Sequence, residues 1–250
     1  MTTQSLIRSM FNRLLAPLDC ELVRRRNSSL PTPRWTMKAA LRRAAGIGIC
    51  PATMIDVGAA SGAWSQIGRE VFPLARGLLI EPLQERRVEL DTFVADWSGT
   101  AIETVVAGSE ASEVTFNITA DHDGSGVYGL DGGGTQRTLP QLSVDELVSR
   151  HNMPGPYLLK LDTHGYEIPI LSGASSTLAE TELIVVEVYG FLPAPTAVRF
   201  WELCSWLQEK GFRPSDITDL MGRQRDGMFW QADMFFLRDN HPVFKSNSYS

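Results

Sequence analysis

A chain of 250 residues with 43% hydrophobic and 21% charged side chains is long enough for a sizeable core and too apolar to be disordered throughout. Its formal net charge of -6 excludes the broad cationic face that phosphate backbones require, so nucleic acid is not an expected partner. The three cysteines, Cys20, Cys50 and Cys204, fit neither a disulfide framework nor a metal cluster, and no run approaches the roughly 20 apolar residues of a membrane span; a cytoplasmic setting is the expectation.

Leu6, Ile7, Met10, Phe11, Leu14, Leu15 and Leu18 recur at helical spacing, and Arg24 to Arg26 follow. Such an arm suits packing on its own domain, on a twin subunit in a homo-oligomer, or on an anionic membrane surface. Arg8 and Arg13 interrupt what would be the apolar core of a signal peptide. Asn27 to Arg34, with Pro31 and Pro33, reads as a linker, and Thr36 to Ala45 returns to helical composition.

Apolar strand candidates then recur at Met54 to Val57, Gly77 to Ile80, Glu103 to Ala107, Tyr157 to Leu161 and Leu183 to Val188, with helical stretches between most of them. That alternation argues a parallel sheet covered on both faces. Glu113 to Ile118 and Arg137 to Leu142 read as additions at its edge, and Ser143 to Glu146 carries a capping-box pattern that should start a helix. Thr196 to Lys210 reads as a helix, and strands around Ile217 to Met221 and Ala232 to Leu237 as a closing antiparallel pair. Between Asp121 and Gly134 the glycine content predicts a mobile loop, either a lid or an insertion; Asp121, His122 and Asp123 within it are a weak cation candidate.

The first strand candidate runs into Asp56-Val-Gly-Ala-Ala-Ser-Gly62, and the second ends in Glu81. Gly58 and Gly62 permit a tight turn beside a ligand, and an acid at the second strand tip suits ribose hydroxyls. A dinucleotide fingerprint wants a further glycine where Ala60 stands. Asp56, its charge expected to face the ligand, would repel a pyrophosphate but suit the ammonium and sulfonium of S-adenosylmethionine. An NAD-dependent oxidoreductase and a non-catalytic binding module on the same fold are the alternatives.

Later, Leu158-Leu-Lys-Leu-Asp-Thr-His-Gly-Tyr-Glu167 delivers Lys160, Asp162, His164 and Glu167 at one strand end. With Asp56 to Ala59, Glu81-Pro82, Gly165-Tyr-Glu167 and Glu187-Val188 in order, the chain resembles the FkbM family of S-adenosylmethionine-dependent methyltransferases from about Met54 to Arg238. The resemblance implies an α/β, Rossmann-like class I methyltransferase fold, mostly parallel with an antiparallel C-terminal strand. Residues 1–50 would be the helical arm and linker, 51–240 the methyltransferase domain and 241–250 a tail. It also implies transfer of a methyl group to an oxygen of a small-molecule or glycan acceptor. Asp56, Gly58, Ala59, Ser61 and Gly62 would line the methionine part of the cofactor, Glu81 the ribose, and Ala107 the adenine.

Many family members carry Glu or Gln where this chain has His164. An imidazole that titrates near pH 6.5, as a rough reference, is the natural catalytic base for a hydroxyl acceptor, with Asp162 as rival or orienting partner. Lys160 is expected to satisfy a strand-end carbonyl or to pair with Asp162 or Glu187, in preference to a catalytic role. Asp162, Glu167 and Glu187 would suit magnesium if they converged. Tyr189, Phe191, Arg223, Arg225, Trp230, Gln231 and Asp233 are candidates to shape the acceptor pocket; the alternative is that the aromatics belong to the core and Arg223 with Asp233 forms an ordinary ion pair.

Overall fold

The computed structural model of the protein describes residues 35–120, 122–128 and 134–249. The predicted arm lies outside them up to residue 34. Helix α1 (Met37–Gly46) begins where the Thr36 hydroxyl accepts from the Ala39 amide at 3.4 Å, and it buries Met37, Ala40, Leu41 and Ala44. Spacings of three and four put these residues on one stripe.

Seven strands form the main sheet in the order β3-β2-β1-β7-β8-β10-β9. Here β1 is Thr53–Val57, β2 Arg76–Ile80, β3 Ala101–Glu103, β7 Tyr157–Leu161, β8 Thr181–Tyr189, β9 Phe212–Gly222 and β10 Phe229–Arg238. The pairs from β3 through β8 are parallel, and β10 and β9 close the sheet antiparallel. Strands β1 and β7 are buried at every position, as continuous apolar runs in a sheet covered on both faces must be.

Alternation along the strands divides the core. Ile55, Val57, Leu159, Leu161, Ile184 and Val186 face α4 (Val144–Arg150), α5 (Glu167–Ser172), α6 (Ser175–Glu180) and α7 (Phe200–Glu209). Met54, Leu158, Leu183, Val185 and Phe235 face α1, α2 (Ala63–Val71) and α3 (Arg87–Val94). Each such fully buried aliphatic side chain contributes roughly 1.5 to 3 kcal/mol. Period-two geometry therefore also decides where the polar strand residues go: Asp56 and Lys160, opposite one another in register, share the α2 face with Met54.

Three expectations change. The run from Glu103 to Ala107 is not one strand: Ala101–Glu103 is the edge of the main sheet, whereas β4 (Val106–Gly108) begins a second sheet of order β4-β6-β5. The segments read as edge additions, β5 (Ser112–Ile118) and β6 (Thr135–Ser143), belong to this small sheet, which covers its own cluster of Leu83, Val106, Phe116 and Ile118. The last helix starts at Phe200 rather than Thr196. The Thr196 hydroxyl donates to the Gly165 carbonyl at 2.7 Å, which ties that residue to another loop, and the Arg199 amide donates to the Glu202 carboxylate at 2.7 Å to start the helix. At α4 the Ser143 hydroxyl caps the Glu146 amide at 3.1 Å as the pattern predicts, but Glu146 itself turns to Arg150.

Candidate active site

A cleft of about 300 Å³ opens at the carboxyl ends of β1, β2 and β7 and is roofed by the small sheet. Open α/β sheets bind ligands at this edge, between loops that leave neighbouring strands. The β1–α2 loop takes its path because Gly58 and Gly62 hold φ of +78° and +84°. A Cβ on Gly58 would stand 2.1 Å from the Asp162 carbonyl oxygen, and one on Gly62 would stand 2.7 Å from the Phe93 ring. Both glycines are thus required by packing as well as by backbone conformation.

Gly58, Glu81, Ala107, Asp162 and His164 line the cleft. Glu81 stands at the tip of β2, where its carboxylate accepts from the Ala60 amide at 2.9 Å and the Leu83 amide at 2.8 Å. Burial raises its pKa above the ordinary carboxylate value, although both amides oppose the rise. Leu83, Val106, Ala107, Phe116 and Val127 form an apolar wall beside it. Ala59, Ser61 and Gly62 belong to the same turn without lining the cleft.

Asp56 does not face the cleft, contrary to expectation. It is fully buried on the α2 face, accepts from the Ser65 hydroxyl at 2.6 Å and lies 3.5 Å from Lys160 Nζ. Burial raises its pKa despite Lys160 and Ser65. Lys160, itself buried and above the Trp64 ring at 5.9 Å, also reaches Asp162 at 3.1 Å. The pairing expected with Asp162 is present, and the second partner is Asp56 rather than Glu187.

Asp162, 37% exposed, is the acid of this group that reaches the cleft. Burial would raise its pKa, but the charges of Lys160 and His164 outweigh it and hold the carboxyl below its ordinary value. His164 occupies the left-handed region at φ +54°. Its Nε2 donates to the Asp123 carbonyl at 2.8 Å, while Nδ1 lies 3.3 Å from Glu187, 3.1 Å from the Tyr189 hydroxyl and 3.9 Å from Asp162. Burial alone would lower the imidazole pKa, yet the hydrogen bond to Glu187 and the charges of Asp162 and Glu187 push it up to about 9.

Glu167, expected beside Asp162 and Glu187, is elsewhere. As the first residue of α5 its carboxylate folds back to accept from the Gly165 amide at 2.9 Å and the Thr163 hydroxyl at 3.2 Å. His164 takes its place in the cluster. Glu187, buried, is held from behind by Gln231 Nε2 and the Tyr189 hydroxyl, both of which donate to its carboxylate. Tyr189 lies two residues along the same strand, so period-two spacing was the available signal for its contact with Glu187. Arg223 pairs with Asp226, not Asp233, and lies 4.0 Å from the Phe191 ring, which stacks on Trp230 at 5.8 Å.

The described part of the glycine-rich segment closes on the site. Gly126 bridges to Asn117, whose side chain donates to the Val127 carbonyl at 2.7 Å, and Asp123 pairs with Arg86 at 2.5 Å. Asp121 lies outside the described residues, and the carboxylate of Asp123 faces the Arg86 guanidinium. His122 to Val127 thereby form one wall of the cleft.

Asp233 stands opposite Glu187 in the β8–β10 register, and burial with the charge of Asp162 pushes its pKa up to about 7. A carboxyl with a raised folded pKa contributes stability that is full below its unfolded value of about 3.9 and is lost as pH climbs through 7. Asp233→Asn is accordingly expected to raise Tm by several degrees at pH 8 and to leave it nearly unchanged at pH 4. Parallel thermal melts at the two pH values check this.

The Methyltransferase FkbM domain model matches residues 56–214. A 52-residue stretch, 21% of this chain and 22% of the relative, is 33% identical to hexuronic acid methyltransferase AglP of Haloferax volcanii. The fold is similar to that of a methyltransferase FkbM from Methylobacillus flagellatus, at 17% identity and a TM-score of 0.49 over 74% of this chain and 43% of that one. It is also similar to a Burkholderia thailandensis 1,6-didemethyltoxoflavin-N1-methyltransferase with S-adenosylhomocysteine bound, at 13% identity and a TM-score of 0.46 over 81% and 76% of the two chains. This chain therefore spans less than half of the first and second of these relatives. Among the described residues no helix is long and apolar enough to cross a membrane.

Proposed function

The chain belongs to the FkbM methyltransferase family, and from that premise we propose that it moves a methyl group from S-adenosylmethionine to a hydroxyl oxygen of a sugar, glycan or other small molecule. The observation that carries the cofactor choice is the charge of the cleft. Among the described residues its lining holds four carboxylates, Glu81, Asp123, Asp162 and Glu187, against the imidazolium of His164, and neither lysine nor arginine. Such a wall repels a pyrophosphate and suits a cofactor that carries an ammonium and a sulfonium.

Glu81 would accept from the ribose hydroxyls, since each carboxylate oxygen has a lone pair left after binding its backbone amide. The apolar wall at Val106, Ala107 and Phe116 would take the adenine, and Gly58 with Ala60 the methionine part. Bound there, the cofactor supplies an electrophilic methyl carbon. Asp162 faces it from the other side of β1, where it would receive the acceptor's hydroxyl hydrogen bond and hold that oxygen in line. Alignment of this kind is worth on the order of 7 to 11 kcal/mol, and proton removal a further 100- to 10,000-fold as an order of magnitude.

His164 is a poorer base than its position in the sequence implies. Neither nitrogen offers a free lone pair to an acceptor below about pH 9, because Nε2 is committed to a carbonyl and Nδ1 carries a proton toward Glu187. We assign it a positioning role and give the proton to Asp162. Magnesium would find Asp162 and Glu187 nearby, but not Glu167, whose Oε1 is committed to the turn and which stands outside the group of convergent ligand atoms. The domain that carries the site is taken as residues 51–240, with α1 packed on it.

Calorimetric titration with S-adenosylhomocysteine and, separately, NAD tests the cofactor. Tight binding of the first, weakened about tenfold by Glu81→Gln through loss of a charged hydrogen bond, is the expected result. NAD binding without S-adenosylhomocysteine binding would overturn the proposal.

A further inference from the structure

Behind Asp162, the side chains of His164 and Glu187 complete an arrangement that goes beyond what positioning of Asp162 requires. We propose that Asp162 Oδ1, His164 Nδ1 and Glu187 Oε2 bind one divalent transition ion, manganese or zinc in preference to magnesium. This deepens the O-methylation reading and rests on it for the ion's role, though not for the existence of the site.

One ligand atom from each residue lies within 4.8 Å of the other two. His164 Nδ1 is 3.3 Å from Glu187 Oε2 and 3.9 Å from Asp162 Oδ1. Metal bonds of about 2.0 to 2.2 Å place neighbouring ligand atoms roughly 3.0 to 3.5 Å apart. The His164–Glu187 spacing already meets this, and the half-exposed Asp162 needs only a small side-chain rotation. An imidazole between two carboxylates favours manganese or zinc over ions that prefer all-oxygen shells.

The surroundings orient these atoms as ligands. A carbonyl only accepts, so the 2.8 Å bond to Asp123 fixes one proton on His164 Nε2 and turns Nδ1 toward the two acids, where the ion takes the place of the Nδ1 proton and that proton leaves to solvent on binding. Metal-binding histidines are held in the same way, with the distal N–H given to a carbonyl or carboxylate. Glu187 is buttressed in turn by Gln231 on its other oxygen and by the Tyr189 hydroxyl on Oε2. The Tyr189 hydroxyl is the group that an incoming ion would displace from Oε2, and it lies 3.1 Å from Nδ1. All three ligand residues line the cleft, which leaves the remaining coordination positions open to an acceptor oxygen. Asp162 Oδ1 has lone pairs for both the ion and an acceptor hydroxyl.

The test uses the full chain, stripped with a chelator and titrated calorimetrically with manganese chloride and, in a second portion, with S-adenosylhomocysteine. One manganese per chain is expected, with affinity reduced at least tenfold in both His164→Asn and Glu187→Gln; asparagine is chosen because it tolerates the left-handed backbone. Pulsed paramagnetic resonance of the manganese-loaded wild type should show coupling to an imidazole nitrogen, a readout that survives if either variant fails to fold. Absence of stoichiometric binding, absence of nitrogen coupling, or full affinity in both folded variants overturns the proposal. S-adenosylhomocysteine binding without manganese binding would overturn the ion site and leave the cofactor reading intact, and the converse pattern would do the reverse.

Discussion

Replacement of Lys160 by methionine is expected to lower the free energy of unfolding by about 3 to 5 kcal/mol, the usual consequence of removing one partner from a buried ion pair. Lys160 sits between Asp56, fully buried, and Asp162, with its side chain only 4% exposed. Burial alone would lower its pKa, but the two carboxylates outweigh that and hold it above the ordinary lysine value. Methionine fills a similar volume and restores none of the charge. Asp56 Oδ1 already lacks a hydrogen bond among the described residues, so it would be left with neither bond nor counter-charge. Its pKa should rise further, which makes the variant's deficit small in acid and larger as pH climbs past the new value. Urea denaturation at pH 5 and pH 8 measures both quantities. Adding Asp56→Asn to Lys160→Met should recover much of the loss, because it removes the stranded charge. A single-variant loss under about 1 kcal/mol would mean that water reaches Asp56.

The same pair shows why the site was only partly legible. The strands β1, β2, β7 and β8 are continuous apolar runs, and such runs announce a doubly covered parallel sheet. Glu81 and Asp162 could be placed because a residue just past a strand's carboxyl end has nowhere to go but the ligand edge. Asp56, one residue inside its strand, is subject to alternation instead, and its partner was readable only through a register that no local pattern fixes. Glu103 to Ala107 has the apolar content of one strand, yet the chain changes sheets within it; which sheet a short run joins depends on partners such as Gln141 and Leu142, more than thirty positions away. Glu167 stands outside the Asp162–Glu187 cluster for a local reason. A carboxylate at the first position of a helix is drawn to the free amides of the preceding turn, and this one takes Gly165.

Asp162→Asn should reduce turnover by a factor of about 100 to 10,000, equivalent to roughly 2.7 to 5.5 kcal/mol of transition-state stabilisation. The substitution keeps the size and shape of the group and can still accept from Lys160, so the fold and the Gly58 contact with the residue-162 backbone should persist. What it removes is the negative charge that would draw the acceptor's proton as the oxygen attacks. Because that interaction strengthens only as the transition state forms, the loss should fall on kcat, with cofactor affinity held within about threefold. His164→Asn, in contrast, alters a group that we place behind the acceptor, so its effect should be the smaller of the two in ion-free enzyme. Near-normal turnover in Asp162→Asn would reduce Asp162 to a counter-ion for Lys160. A larger loss in His164→Asn than in Asp162→Asn would return the proton to the imidazole, and the wild-type rate should then climb toward pH 9 as His164 becomes neutral.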